Sequence, residues 1–442
     1  MSKTSPTPAS HLRNSSRSAD LYDRACAVLP GGNTRTTVYT PPHPIYASHG
    51  QGCRIWDVEG VARIDFLNNY TALIHGHAHP AITAAATQQI ARGACFSMPT
   101  ESEIALAELL CNRVASIEQI RFTNSGSEAV MMAIKAARAF TGRFKIAKAE
   151  GAYHGSYDHM EVSEDAGPGA WGEPEPLSLP YSKGTAPSIL DEVVVFPLND
   201  LALTETIIRR HAAELAAIII DPLAPRIGLI PARQDWLSLV RGLCDELAIV
   251  LISDEIISFR TAYGGAQQSF GFRADLTTLG KIIGGGFPVG ALGGRSDIMA
   301  VFDPTQGKPA VPHGGTFNAN PVTMVAGRVA MDLMTERAYE RLERLGDRLA
   351  EGIEAVFRES GIDGQVTGRG SIRRIHLTTR KLHDYRSAYP GPKEKARMAK
   401  IYDGLLSRGV LMAPGGMIAL STAMSDAEIN HFINALREVV SG

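Results

Sequence analysis

The chain is short of several things that would mark a specialised class. Only 5 of its 442 residues are cysteine (Cys26, Cys53, Cys95, Cys111 and Cys244), and no two form a CxxC pair. An odd, scattered set argues against a disulfide framework or a zinc knuckle and suggests free thiols in a reducing compartment. There is no excess charge of either sign: 44 Lys and Arg against 46 Asp and Glu leave a net charge of −2. That gives no footprint for nucleic acid or an anionic membrane. No run approaches the roughly 18 apolar residues of a membrane span. The first twenty residues, MSKTSPTPASHLRNSSRSAD, lack the apolar core of a signal peptide. The expectation is a cytoplasmic protein, disordered over residues 1–18.

What is present is ordinary for an enzyme: 44% hydrophobic and 20% charged residues, in a chain long enough for two or three domains. A short helix around LYDRACAVL should stop at Pro30-Gly31-Gly32. The proline-rich segment from Thr34 to Ala47 should wrap over a surface rather than join a sheet. RIWDV and ARIDFL, separated by Glu59-Gly60, read as a hairpin. From about Ser102 the pattern becomes α/β. The runs LAAIIID and AIVLISD each end in an aspartate, Asp221 and Asp254, and read as buried parallel strands with those carboxylates at their carboxyl ends. Beyond Asn320-Pro321 a long helical stretch leads into local α+β character, closed by a helix opening on the capping box Ser425-Asp426-Ala427-Glu428.

Three features then stand in a telling order. Asn124-Ser125-Gly126-Ser127-Glu128 lies between strand-like IRF and helix-like AVMMAIKAARAF. Ser-x-x-Glu is the signature of a capping box, but a helix start with free N–H groups, hydroxyls and a glycine also cradles a phosphate. Asp254 can be a solvated strand-end carboxylate or the partner of a pyridinium nitrogen. Lys281, 27 residues later, is followed by two isoleucines and three glycines, an apolar setting that lowers a lysine's pKa and makes it a nucleophile. The glycine run lacks GxGxxG spacing and follows no clear strand, which speaks against a dinucleotide loop. Together the three features make the protein's half of a pyridoxal 5'-phosphate (PLP) site. Tyr153, in Tyr153-His154-Gly155, is an aromatic loop anchor or a surface for stacking on the pyridine ring. His75, His77 and His79 precede Pro80 in what reads as a loop, and no metal is expected there.

The motifs RFTNSGSEA, GAYHG, Asp254-Glu255, DLTTLGK, VGALGGR and GGTFNANP resemble those of class III aminotransferases of PLP fold type I, over nearly the whole chain. The branch is that of glutamate-1-semialdehyde aminomutase and the β-amino acid (β-phenylalanine) aminotransferases. The resemblance implies an α/β fold: a large domain with a mostly parallel seven-stranded sheet between helices, over 71–325, and a smaller α+β domain over 326–442. Residues 19–70 would form an N-terminal segment packed with the small domain. It implies PLP joined to Lys281, its ring nitrogen facing Asp254, its phosphate held by Ser125, Gly126 and Ser127, with Tyr153 stacked and His154 beside the cofactor. Thr316 would reach the cofactor of the neighbouring subunit, which implies an obligate homodimer.

The departures bear on substrate. Asp221-Pro222-Leu223 replaces the usual Glu-Pro-Val, and Arg226 stands where the aminomutases place an asparagine. The stretch Gly32–Tyr39 is more like the β-amino acid enzymes, in which the arginine matching Arg35 binds a substrate carboxylate; otherwise Arg35 is an exposed arginine of a wrapping segment. Gly415 and Gly416 replace a pair containing an arginine, which leaves Arg226 as a candidate second contact. The expected reaction is ping-pong transfer from a β-amino acid or related amine to pyruvate or 2-oxoglutarate. A 2,1-aminomutase, a decarboxylating transaminase and a catalytically silent PLP-binding or regulatory protein are the alternatives.

Overall fold

The computed structural model describes residues 16–441. Strands β1 (Ala47–Gln51), β2 (Arg54–Asp57) and β3 (Ala62–Asp65) come first. They are followed by β4 (Gln119–Thr123), β5 (Lys145–Ala149), β6 (Val193–Phe196), β7 (Leu215–Ile220), β8 (Val250–Asp254), β9 (Leu276–Gly280) and β10 (Gly290–Gly294). The C-terminal part contributes β11 (Gln365–Arg369), β12 (Ile372–His376), β13 (Val410–Leu411) and β14 (Met417–Ala419). Seven strands form the central sheet in the order β4-β10-β9-β8-β7-β5-β6. Its pairings are parallel except where β10 runs antiparallel to β4 and β9.

The sheet is sandwiched because its strands are apolar on both faces, β7 being buried at every position. One face packs under Trp236 and Leu243 of the helix Gln234–Leu247, and the other under Val130, Ile134 and Ala137 of the helix Gly126–Thr141. A third cluster joins Leu106 and Leu110, Ile282 and Ile283 beside Lys281, and Leu345 and Phe432 of the C-terminal part.

The hairpin expected around Glu59-Gly60 forms as β2 and β3. β13 then adds in parallel to β3, so the N-terminal strands and a C-terminal strand share one sheet. Three expectations need correction. The disordered stretch 1–18 lies outside the described residues up to 15, but residues 16–18 open the helix Ser16–Cys26. Ser18 is buried there, and its backbone N–H and hydroxyl reach the Glu59 carboxylate at 2.8 and 2.9 Å. The segment expected to avoid sheets ends by entering one, since Ala47 begins β1 and pairs with β2. The glycine run after Lys281 does follow a strand, β9, which the short run LTTLG disguised. Among the described residues no helix is long and apolar enough to cross a membrane.

Candidate active site

The carboxyl ends of β4, β5, β7, β8 and β9 meet at one cavity of about 340 Å³, whose wall includes Ser125, Gly126, Ser127, Tyr153, Asp254 and Lys281. Chain order explains the convergence. Parallel strands deliver their carboxyl ends to the same edge, and each of these residues lies at or just beyond such an end. Gly290 at the start of β10 lets the chain after β4 come close, since a Cβ there would stand 2.0 Å from the Ser125 carbonyl oxygen.

Lys281 begins a 3₁₀ turn, Lys281–Gly284, with φ at +49°, in the left-handed region. A non-glycine residue held there is strained, and such strain gathers at functional positions. Burial pushes its amine below the usual lysine range, the Asp254 charge pulls back up, and the Arg260 charge lowers it again. The amine is thereby brought toward its neutral, nucleophilic form.

Asp254 is buried and held on three sides. Thr278 Oγ1 and the Ile256 N–H donate to Oδ1 at 3.0 and 3.1 Å, and His154 Nδ1 lies 2.7 Å from Oδ2. His154 therefore sits behind Asp254 rather than in the cavity wall. Burial lowers the His154 pKa against the opposing pull of Asp254, so the neutral ring donates from Nδ1 and leaves Nε2 buried without a partner. Asp221 shares the cavity wall. Burial, and next the Asp254 charge, raise it to about 8.

At the helix Gly126–Thr141 both readings of the sequence hold, for different atoms. Ser125 Oγ accepts from the Glu128 N–H at 3.2 Å, and Glu128 Oε2 accepts from the N–H groups of Asn124 and Ser125 at 2.6 and 3.1 Å. Ser125 is thus a capping residue. The first two helical amides, of Gly126 and Ser127, have no intrahelical acceptor. Ser127 Oγ accepts from the Ser156 N–H at 3.0 Å and keeps its own proton to donate. Gly155, at φ +94°, approaches so closely that a Cβ would stand 2.6 Å from Ser127 Oγ. A phosphate fits this cradle, with two free amides and a hydroxyl at the positive end of a 16-residue helix. An amine, a buried carboxylate and an anion cradle in one cavity suit PLP.

Other expected residues stand outside this wall. Arg35 lines an adjoining cavity of about 430 Å³. Its Nη1 donates to Asn69 Oδ1 at 2.9 Å, and Asn69 and Gly286 line both cavities. Arg226 is ion-paired with the buried Glu164 at 2.8 Å, its guanidinium 6.0 Å from the Tyr153 ring. Thr316 is exposed and absent from the cavity wall. Of the three histidines, His75 and His79 bring their rings to 5.4 Å, His75 contacting Thr422 and the Ala330 carbonyl and His79 standing at the start of the helix Pro80–Arg92, while His77 contacts Asp65.

Asn69 was not anticipated. It belongs to four successive residues, Asn68 to Thr71, with φ between +48° and +77°. The buried Asp65 carboxylate holds the entry to this left-handed turn by accepting from the Leu67 and Asn68 N–H groups at 2.9 and 2.8 Å. The only sequence signal was the Asn-Asn pair, since asparagine tolerates that region. Thr278 was silent, because a strand residue shows no sign of what it touches, whereas Asp221 stands at the strand end where the sequence put it.

Residues 37–440 match the family described as Aminotransferase class-III. A glutamate-1-semialdehyde 2,1-aminomutase of Methanothermobacter thermautotrophicus is 38% identical over 96% of this chain and 99% of its own length. Among solved structures, an omega-transaminase from Sphaerobacter thermophilus is 53% identical, covers 98% of both chains and superposes with a TM-score of 0.96. A β-phenylalanine aminotransferase from Variovorax paradoxus is 33% identical over 96% of this chain and 94% of its own, with a TM-score of 0.87. With a site built for PLP and likeness along almost its entire length, this chain belongs to the class III aminotransferases, a PLP-dependent enzyme family.

Proposed function

We propose that the chain is a homodimeric aminotransferase that moves an amino group from a β-amino acid, or a related amine bearing a carboxylate, to a keto acid such as pyruvate or 2-oxoglutarate. The observation that carries this reading is Arg35. Its guanidinium lies on the wall of the cavity beside Lys281's, oriented by Asn69, and no acidic side chain among the described residues pairs with it. A planar fork of donors with no anion of its own suits a substrate carboxylate. Tyr70 fixes the same segment from below, its hydroxyl donating to the Thr37 carbonyl at 2.7 Å.

When bound, PLP supplies the electron sink for the carbanion formed at the substrate carbon. The chain does the rest. Lys281 Nζ, its pKa lowered by burial, would take the proton from the substrate carbon and return it. Asp254, fixed by Thr278 and His154, would hold a carboxylate oxygen for the cofactor's ring nitrogen. Gly126 and Ser127 would hold the phosphate, and Tyr153, on the same cavity wall, would offer its ring for stacking on the cofactor. Thr316 would complete the phosphate site of the neighbouring subunit. Its exposure supports that role, and so does the exposed apolar surface of Phe96, Met98, Ile104 and Phe317.

The second reading is a 2,1-aminomutase, the activity named for the Methanothermobacter relative. A catalytically silent PLP-binding protein is a third, and the free amine of Lys281 in an intact site argues against it. Absorbance separates them. A band near ~410–420 nm that a β-amino acid converts to one near ~330 nm, and that a keto acid restores, is the expected result. Turnover of a semialdehyde with no added acceptor would instead establish the mutase. A yellow protein that no donor bleaches would favour the silent reading.

A further inference from the structure

Among the described residues, Arg113 and Arg260 are buried and Arg374 is half-buried, none of them with a carboxylate partner, and the first two are satisfied in other ways. Arg260 donates from Nε to Ser371 Oγ at 2.8 Å, from Nη1 to the Thr71 carbonyl at 3.1 Å, and from Nη2 to the Leu420 carbonyl. Arg113 has one unmet Nε, but it gives Nη2 to the carbonyls of Met331 and Met334 at 2.7 and 3.2 Å. Its guanidinium also lies 4.0 Å from the Tyr263 ring centre.

Arg374, in the middle of β12, differs. It makes a single hydrogen bond, from Nη1 to the Pro225 carbonyl at 2.6 Å, and its buried Nε has no acceptor. Burial, and then the charge of Arg226, lower its pKa to about 10. Arg226 and Arg374 thus stand as two neighbouring cations, and the carboxylates beside them, Glu164 and Asp165, act on Arg226, which pairs with Glu164. Of the acids near Arg374, Glu394 is engaged by Arg380 at 3.0 Å, and Asp403 makes no ion pair with Arg374. His376 adds no charge, since burial and the Arg374 cation hold it neutral, at about 4.

In front of Arg374 is open space. It lines a cavity of about 570 Å³ between the segment Tyr39–Ile45, β12 and the helix Pro392–Ser407. Gly415 contributes to the opening, since even a Cβ there would stand 3.7 Å from Arg374 Nη2. This cavity shares Thr40, Ile45, Tyr402 and Pro414 with the cavity of Arg35, which in turn shares Asn69 and Gly286 with that of Lys281. Arg374 is also linked to the site from the other side. Pro225 follows Asp221 on the loop after β7, and Arg226 faces the Tyr153 ring.

We propose that Arg374 receives the second carboxylate of a dicarboxylic substrate, so that the acceptor is a 2-oxoglutarate-like keto acid in preference to pyruvate. The proposal rests on the aminotransferase reading above. A guanidinium pinned through Nη1, with its Nε enclosed, holds Nη2 in a fixed direction beside Gly415 at the cavity, where it can donate to a carboxylate oxygen. A monocarboxylic acid can engage only one of Arg35 and Arg374.

The test uses the PLP-loaded protein, with Arg374→Gln, which can still donate to the Pro225 carbonyl, and Arg374→Lys, which keeps the charge. Calorimetry with glutarate and butyrate, neither of which can react, reads binding directly. Glutarate should bind the wild type about 10- to 100-fold more tightly than butyrate. Arg374→Gln should erase that difference, and Arg374→Lys should retain part of it. In the acceptor half-reaction, Arg374→Gln should raise the half-saturating concentration of the dicarboxylic keto acid, relative to that of pyruvate, by a similar factor. Equal binding of glutarate and butyrate to the wild type would overturn the proposal, even if Arg374→Gln failed to fold. A glutarate preference that survives in a folded Arg374→Gln would also overturn it. Failure of every amine to bleach the wild type refutes the transaminase reading instead, and the glutarate comparison still decides whether Arg374 is a carboxylate site.

Discussion

His154 stands behind Asp254, its Nδ1 2.7 Å from Oδ2, with no surface open to solvent. The ring is neutral because burial lowers its pKa, so it acts as a donor that fixes the carboxylate in the position facing the cavity. His154→Phe removes that donor and leaves a carboxylate oxygen short of a partner. Cofactor affinity is expected to fall about 10- to 100-fold, measured by PLP release on dilution, because hydrogen bonds to charged groups carry that much. His154→Asn, which can still donate, should recover part of it. Equal retention in both variants would make the pair merely a packing contact.

Arg35 reaches Asn69 rather than any acid among the described residues. If it binds the donor's carboxylate, Arg35→Ala should raise the half-saturating concentration of β-amino acids about 10- to 100-fold. Amines without a carboxylate should show a far smaller change. The comparison is made by single-turnover bleaching, and a uniform change for both donor types would remove Arg35 from substrate recognition.

Asp221 makes a pH prediction. Its carboxyl has a reference value of 3.8 and is raised to about 8 in the fold, first by burial and then by the Asp254 charge. Between those values the native state keeps a proton that the unfolded chain has released, so wild-type stability falls as pH rises through the window. Asp221→Asn has no such proton to lose. Relative to the wild type it should gain at least about 1 kcal/mol as pH rises from about 4 to about 8. Melting temperatures of the cofactor-free protein report this, and a constant difference across the window would contradict it.

The proposed dimer can be tested with two inactive or weakened chains. Lys281→Ala is expected to abolish transamination, and Thr316→Ala to weaken PLP binding in the neighbouring site. In a hybrid dimer of the two variants, one site takes its lysine from the Thr316→Ala chain and its threonine from the Lys281→Ala chain. That site is intact, so activity should reappear on mixing and refolding. If Thr316 serves its own subunit, the hybrid will show no site with wild-type PLP affinity.

Sequence by itself determined the alternation of buried strands and amphipathic helices, and with it the large parallel sheet. It also determined which chemical groups stand at strand ends, because Lys281, Asp254 and the Ser125–Glu128 helix start are each local in the chain. Tertiary structure decided how the atoms divide their work. Ser125 and Glu128 close a capping box while Gly126 and Ser127 keep free amides, a distinction that depends on hydrogen-bond geometry within one turn. It placed His154 behind Asp254, 100 residues away in the chain, and set Arg226 against Glu164. It left Arg374 unpaired in front of a cavity, though the sequence shows only one of two adjacent arginines in a strand. The physical reason is that period and propensity act over a few residues, whereas burial and charge pairing depend on which distant segments the fold brings together.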